Sequence, residues 1–346
     1  MSTYARIDAP SSLVIDEEQL PDELASGQVQ VDVTLCGICA TDTHNYTSGG
    51  QIPPATFGHE WTGTIARIAG DVTTVTVGQR VIACVGPACG TCAMCVAGHA
   101  DHCDLAFAEA NGVTPDSPAH GGFARSLIVS ARRVMPVIDG LDDVQAALVE
   151  PTAVTFHAVR RTRQPLGAVV VVQGAGPIGL LAAQHARHAG AGRLLVIEPN
   201  AERRAAATEL GFTDVVAPGD DAAAWIADVT AGLGADVLYE CTGAAALLQP
   251  SAEMVRRGGT LSLLGFPMTD SEVSYGDWQV RELTVIGSLA YTHDDFLGAM
   301  RSIADGAVQV TSLHTGTIGF GELGATMDEL DSGRTSHAKV LLDPTR

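Results

Sequence analysis

The run Val169-Val-Val-Val172, followed by Gln173-Gly174-Ala-Gly176-Pro177-Ile178-Gly179 and then an Ala- and Leu-rich stretch to Ala189, constrains the fold more than any other segment. Four successive β-branched residues suit a strand buried on both faces of a parallel sheet. A G-x-G-x-x-G turn directly after such a strand, opening a helix, suits a dinucleotide pyrophosphate. The first glycine permits the tight turn, the second lets backbone approach the phosphates, and the third lets helix and strand pack closely. Alone the motif is weak, but here Glu198 follows Gly179 by about the twenty residues the pattern requires. A carboxylate there can accept hydrogen bonds from both adenosine ribose hydroxyls and would repel a 2′-phosphate, so NAD is expected over NADP. The plain alternative for Glu198 is an ordinary strand-end charge. Arg203 lies against the adenine or is simply solvated.

The alternation continues downstream. Leu194-Leu-Val-Ile197 reads as a second buried strand, and Ala201–Leu210 as a helix. Asp236–Tyr239, Thr260–Leu264 and Thr284–Ser288 are further strands, and together these make a doubly wound sheet. Phe296, Leu297, Met300 and Ile303 recur at helical spacing behind a Thr292/Asp295 capping box. The first ~150 residues instead read as β-rich. Val29–Val33 alternates apolar and polar, and Thr62–Ile68, Arg80–Val85 and Gly122–Val129 are strand candidates between Gly, Pro and Asp punctuation. The ending Lys339–Leu342 reads as a final strand, expected to return to the first domain. The expected division is 1–151, 152–288 and a returning segment 289–346.

Two ligand sets lie in the first domain. Cys89, Cys92, Cys95 and Cys103 hold half of the chain's 8 cysteines within fifteen residues. Four thiolates so close match a closed, tetrahedral structural zinc site, with a pair of disulfides as the alternative. Such a site does no chemistry but marks a lobe over 89–103. Upstream, Cys39 and His59 offer sulfur and nitrogen, with Glu60 and Glu150 as carboxylate candidates. A discontinuous S/N/O set is what a catalytic zinc with an open position requires. Any one of these residues taken singly is more simply a packing residue.

Forty acidic against twenty basic residues give a net charge of −20, which argues against nucleic acid or anionic membranes as partners. The start shows no basic segment followed by an apolar one, and no apolar run approaches the ~18 residues of a membrane span. The cytoplasm is the expected location.

Five stretches together resemble the zinc-dependent medium-chain alcohol and polyol dehydrogenases over essentially the whole chain. They are Gly37-Ile-Cys39-Ala-Thr41-Asp42-Thr-His44, Gly58-His59-Glu60-Trp-Thr-Gly63, the Cys89–Cys103 run, Glu150-Pro151 and Gly174–Gly179. The resemblance implies a GroES-like catalytic domain made from both chain ends, a Rossmann dinucleotide domain between them, two zinc ions and NAD, and a homodimer or homotetramer. It implies that Cys39 and His59 ligate the catalytic zinc, that Glu60 is a ligand able to exchange with water, and that Glu150 sits where polyol and threonine dehydrogenases place a carboxylate. Thr41 matches the hydroxyl that takes the alcohol's proton and passes it through the nicotinamide ribose, and His44 the outlet to solvent as general base; Asp42 orients a ligand or simply makes a surface turn. Ala40 departs from the glycine common after the catalytic cysteine, without evident consequence. Cys36, Cys84 and Cys241 are taken as packing residues, and His157 as a core helix histidine.

The expected activity is NAD(H)-dependent interconversion of a secondary alcohol, vicinal diol or polyol with its ketone. Gly287–Tyr291 with Asp294–Phe296 is similar to butanediol dehydrogenases. A threonine 3-dehydrogenase or a sugar or cyclitol dehydrogenase is the alternative within the class. A non-catalytic NAD-binding structural protein is the alternative outside it, and intact Cys39, Thr41, His44, His59 and Glu60 argue against that.

Overall fold

The structure is a computed structural model that describes residues 1–333, 335 and 337–346. It divides into two compact units. The first comprises 1–150, 292–304 and 313–346, and the second comprises 151–291 and 305–312.

In chain order the first unit carries strands β1 (Ser2–Ala9), β2 (Ser12–Glu18), β3 (Gln28–Gly37), β4 (Glu60–Ile68), β5 (Arg80–Ala83), β6 (Ser126–Ser130) and β7 (Val134–Pro136). The second carries β8 (Val169–Gln173), β9 (Arg193–Ile197), β10 (Asp214–Val216), β11 (Ala235–Glu240), β12 (Val255–Leu263) and β13 (Thr284–Gly287). The chain then returns to the first unit with β14 (His314–Ile318) and β15 (Lys339–Leu342).

The first unit is built on a seven-stranded sheet in the order β14-β15-β3-β4-β5-β7, with β6 on β3. β1 and β2 form a separate hairpin. Strand β3 runs longer than its alternating stretch alone suggests, because its far end, Leu35-Cys36-Gly37, pairs with Glu60–Thr62 of β4 and with Leu341 and Leu342 of β15. The chain's two ends are therefore joined at one place in one sheet. Val29, Val31, Trp61, Ile65, Phe123, Leu127, Val340 and Leu342 make its core.

The second unit is a parallel sheet in the order β10-β9-β8-β11-β12-β13. Val170, Val171 and Val172 are fully buried, as a strand covered by helices on both faces must be. The strand order reverses between β8 and β11, and at such a switch point the loops leaving the carboxyl ends of the strands diverge to leave a ligand crevice. The helix Pro177–His188 starts directly after β8. The Thr292/Asp295 capping box forms: Asp295 Oδ2 accepts from Thr292 N at 2.9 Å, and Thr292 Oγ1 accepts from Asp295 N at 3.2 Å. Among the described residues no helix is long and apolar enough to cross a membrane.

Candidate metal and dinucleotide sites

The helix Ala40–Ser48 begins where β3 ends, with Cys39 as its N-cap. Asp42, fully buried, ties this helix start to the segment that carries His59. One carboxylate oxygen accepts from Cys39 N at 2.9 Å and the other from Gly58 N at 2.8 Å. A single side chain thus sets the spacing of two potential ligands that lie twenty residues apart in sequence. His59 Nδ1 lies 3.1 Å from Thr56 O, a carbonyl that can only accept. Nδ1 therefore carries the proton and Nε2 is left to a metal. One ligand atom from each of Cys39, His59 and Glu60 lies within 4.8 Å of the others.

Burial works against a charged His59, but the Asp42 carboxylate, Cys39 and Glu150 outweigh it and lift its pKa well above the ordinary value. The surroundings thus favour a positive charge at this spot, which is the condition a divalent cation would meet in place of the proton. The donor set and its electrostatics fit zinc. Glu150, in the first turn of the helix Val149–Thr162, is buried and acts on both His59 and Lys339 through its charge. It lies outside the three-residue cluster.

Thr41 and His44 stand three residues apart on the Ala40–Ser48 helix and so share a face. The hydroxyls of Thr43 and Thr47 bond back to helix carbonyls at 2.9 and 3.1 Å. Thr41 is exposed, and among the described residues its hydroxyl has no such bond, so it remains available to a ligand.

In the lobe, Cys89, Cys92, Cys95 and Cys103 are all free of disulfides, with their sulfurs within 4.8 Å of one another. Cys92 and Cys103 sulfurs are 4.0 Å apart, too long for a disulfide and close to the ~3.8 Å edge of a tetrahedron with 2.3 Å zinc–sulfur arms. Backbone N–H groups aim at the sulfurs: Thr91 and Cys92 at Cys89, and Cys89 and Ala106 at Cys103. The Thr91 hydroxyl and these amides bring the Cys89 thiol down to about 6, whereas burial pushes Cys95 up to about 12. A zinc ion would hold all four as thiolates. Arg132 ties both flanks of the lobe, its Nε to Glu109 at 3.2 Å and its Nη2 to Pro87 O at 2.6 Å.

In the second unit, Gly174 is required by its φ of +97°, and Gly179 by close approach, since a Cβ there would overlap the Gly174 carbonyl. A Cβ on Gly176 would meet nothing within 4 Å, which leaves the turn open to a ligand. Pro177 opens the helix, and the N–H groups of Ile178 and Gly179 have no preceding helical carbonyl to bond. Glu198, just past β9, accepts from Ala175 N and Asn200 N, both at 2.8 Å. It is thereby fixed beside the glycine turn. Arg203 Nε is buried and makes no hydrogen bond among the described residues. Glu240, at the end of β11, accepts from Thr242 and Gly243 N–H groups and shapes the loop on which Gly174 rests.

Sequence reasoning passed over Lys339. Its Nζ is ion-paired with both oxygens of Glu60 and donates to Ile38 O at 3.0 Å. The signal was compositional: it is the one lysine in the chain.

The alcohol dehydrogenase GroES-like domain pattern matches residues 25–139, and the zinc-binding dehydrogenase pattern matches residues 177–305. The chain is 34% identical to a 2-dehydro-3-deoxy-L-galactonate 5-dehydrogenase of Pseudoalteromonas atlantica, over 92% of each chain. It is 31% identical to a sorbitol dehydrogenase of Bacillus subtilis, over 95% of this chain and 94% of that one. Among solved structures, 2R,3R-butanediol dehydrogenase of Bacillus subtilis superposes with a TM-score of 0.83 at 28% identity, covering 99% of this chain and 100% of that one. An NADP-bound zinc-binding dehydrogenase from Sinorhizobium meliloti superposes at 0.86 with 29% identity, covering 99% of each. With both domain patterns and full-length relatives in agreement, this chain belongs to the zinc-dependent medium-chain alcohol and polyol dehydrogenase family and is an oxidoreductase enzyme.

Proposed function

We propose that the protein oxidises a secondary hydroxyl of a polyol, vicinal diol or sugar acid to a ketone, with NAD as acceptor and two zinc ions per chain. The observation that carries this reading is the Cys39/His59/Glu60 cluster at the start of a helix that bears exposed Thr41 and half-buried His44. The first unit is read as the catalytic domain and the second as the dinucleotide domain.

In this reading Cys39 and His59 hold the catalytic zinc, Glu60 and Glu150 stand as its carboxylates, and Cys89, Cys92, Cys95 and Cys103 hold the structural one. When bound, zinc and NAD supply Lewis acidity toward a hydroxyl oxygen and a hydride acceptor. The chain's own residues supply position and a route for the proton. Asp42 fixes the spacing of Cys39 and His59. Thr41 Oγ1 takes the proton of the alcohol hydroxyl as it releases its own toward the outlet, and His44, one helical turn on, passes a proton to solvent. Gly174, Gly176, Pro177, Ile178 and Gly179 cradle the pyrophosphate, Glu198 takes the ribose hydroxyls, and Arg203 borders the adenine.

Sorbitol, 2R,3R-butanediol, L-galactonate, L-threonine and ethanol, each assayed by NADH absorbance, test the activity. Turnover of the polyol, diol or sugar acid is expected. A panel in which only ethanol or threonine reacts would overturn the substrate class.

Cofactor choice follows from Glu198. A carboxylate facing a 2′-phosphate loses ribose hydrogen bonds and adds repulsion, on the order of a hundredfold in kcat/KM. NAD is therefore expected to exceed NADP by about that factor, and Glu198→Ala to narrow the gap. Equal kcat/KM values, or no change in the variant, would remove Glu198 from this role.

The enzyme is further read as a homodimer or homotetramer. Strand β13 ends its sheet, and Val285 on it is exposed together with Tyr275, Val280 and Leu289 nearby in sequence. A bare apolar edge strand is ordinarily covered, and a two-fold copy would pair it with itself. Sedimentation velocity should give a dimer or larger, with Val285→Lys shifting it toward monomer. A monomer across the micromolar range would refute this assembly.

A further inference from the structure

The acidic excess of this chain is not shared evenly between its two units. The second unit, which bears the glycine turn, holds fifteen acidic and ten basic side chains. The first, which bears the Cys39/His59/Glu60 cluster, holds twenty-five acidic and ten basic ones. It therefore carries −15 of the total −20. The unit read as receiving the pyrophosphate of NAD, itself an anion, is the less charged of the two. The few cations of the first unit are already engaged. Arg6, Arg80, Arg132 and Arg346 are ion-paired with carboxylates, and Arg67 and Arg125 bond to backbone carbonyls. Charge of one sign over a surface lowers the local concentration of solutes of the same sign.

The same sign prevails at the site. Asp42, Glu60 and Glu150 are buried carboxylates, and Cys39 adds a thiolate when it ligates a metal. Against these four negative charges stand Lys339, ion-paired with Glu60, and a divalent ion, which make three positive charges. His59, with its proton on Nδ1, is neutral as a ligand. The loaded site therefore remains negative by one charge. A sugar acid or sugar phosphate would bring a further anion beside it, where low-dielectric walls make like-charge repulsion stronger than in water. An alditol or a simple diol brings none.

We propose that the first unit selects its substrate by charge, taking an uncharged polyol or vicinal diol and disfavouring the sugar acid or sugar phosphate of the same carbon skeleton. The proposal rests on the reading of Cys39, His59 and Glu60 as the catalytic site and narrows the substrate class given for it. The selection acts at two ranges. The unit's net charge opposes the approach of an anion, and the carboxylates around the cluster oppose its binding. The first of these is screened by salt and the second much less so.

The test compares pairs that share a carbon skeleton and differ in one terminal carboxylate: sorbitol with D-gluconate, galactitol with L-galactonate, and 2R,3R-butanediol with 2,3-dihydroxybutanoate, all at saturating NAD. In whichever pair reacts, kcat/KM for the neutral member should exceed that of the acid by about tenfold or more at ~10 mM salt. Raising the salt to ~500 mM should narrow the gap by about threefold or more, because screening acts on the charged member, while the neutral member stays within about twofold. Calorimetric titration of the NADH-loaded protein with the same pair should give the same order in Kd, which separates exclusion from slow chemistry. An acid that matches or exceeds its neutral partner, or a gap that salt leaves unchanged, overturns the proposal alone. If no polyol, diol or acid reacts at either salt, the reading of the site fails, and this proposal with it.

Discussion

Replacing Cys39 by serine should lower the zinc content of the purified enzyme from about two ions per chain to about one and reduce turnover by at least a thousandfold. Cys39 supplies the one sulfur of its ligand cluster and forms the start of the helix that bears Thr41 and His44. A serine hydroxyl is a far weaker ligand than a thiolate, and without the sulfur the remaining imidazole and carboxylates hold the ion far less tightly. The fold should survive, because the second-unit sheet and the four-cysteine lobe are untouched. Metal analysis of protein purified without chelator, read beside circular dichroism and NADH formation, makes the measurement. A parent ratio near one that Cys39→Ser leaves unchanged would mean that the Cys39 cluster holds no zinc.

Thr41→Val should lower kcat by roughly two orders of magnitude while both zinc ions remain. Valine keeps the shape and removes the hydroxyl, which among the described residues bonds to no helix carbonyl, whereas those of Thr43 and Thr47 bond back into the helix. His44→Gln should do less, because water can replace the outer relay, but it should move the acid limb of the pH–rate profile for alcohol oxidation. A deuterated alcohol shows whether chemistry limits the rate. Near-normal kcat in Thr41→Val, with a full isotope effect, would leave Thr41 a bystander beside the metal site.

Much of this was legible in the sequence because the signals are local. Val169–Val172 needs no partner to declare a doubly covered strand, and the glycine turn declares the helix that follows. Cys89, Cys92, Cys95 and Cys103 fall within fifteen residues, so their clustering needed no fold to predict it. The expected strand Gly122–Val129 instead appears as Ser126–Ser130, since Gly121 and Gly122 are used for close approach to Phe57 and Trp61. The hairpin β1–β2 was missed because its strands are only partly buried and their apolar residues are interrupted by charge.

What local pattern could not supply was the contact made by chain return. Lys339 and Glu60 are 279 residues apart, and only the register of β15 on β3 brings the former to the latter. For Asp42 a ligand-orienting role and a surface turn stood open in the sequence; its burial and its bond to Gly58 N, which depend on tertiary structure, favour the former.

The solitary lysine also has a covalent consequence. Ketoses and other sugar carbonyls condense with unprotonated amines to give imines and, with time, irreversible adducts. Guanidinium groups stay protonated to far higher pH and are much slower to react in this way. A protein proposed to turn polyols into ketones carries no lysine ammonium on its surface, and the one it has is enclosed and held by a carboxylate. Its side chains are therefore poor targets for imine formation with the ketones among which it would work.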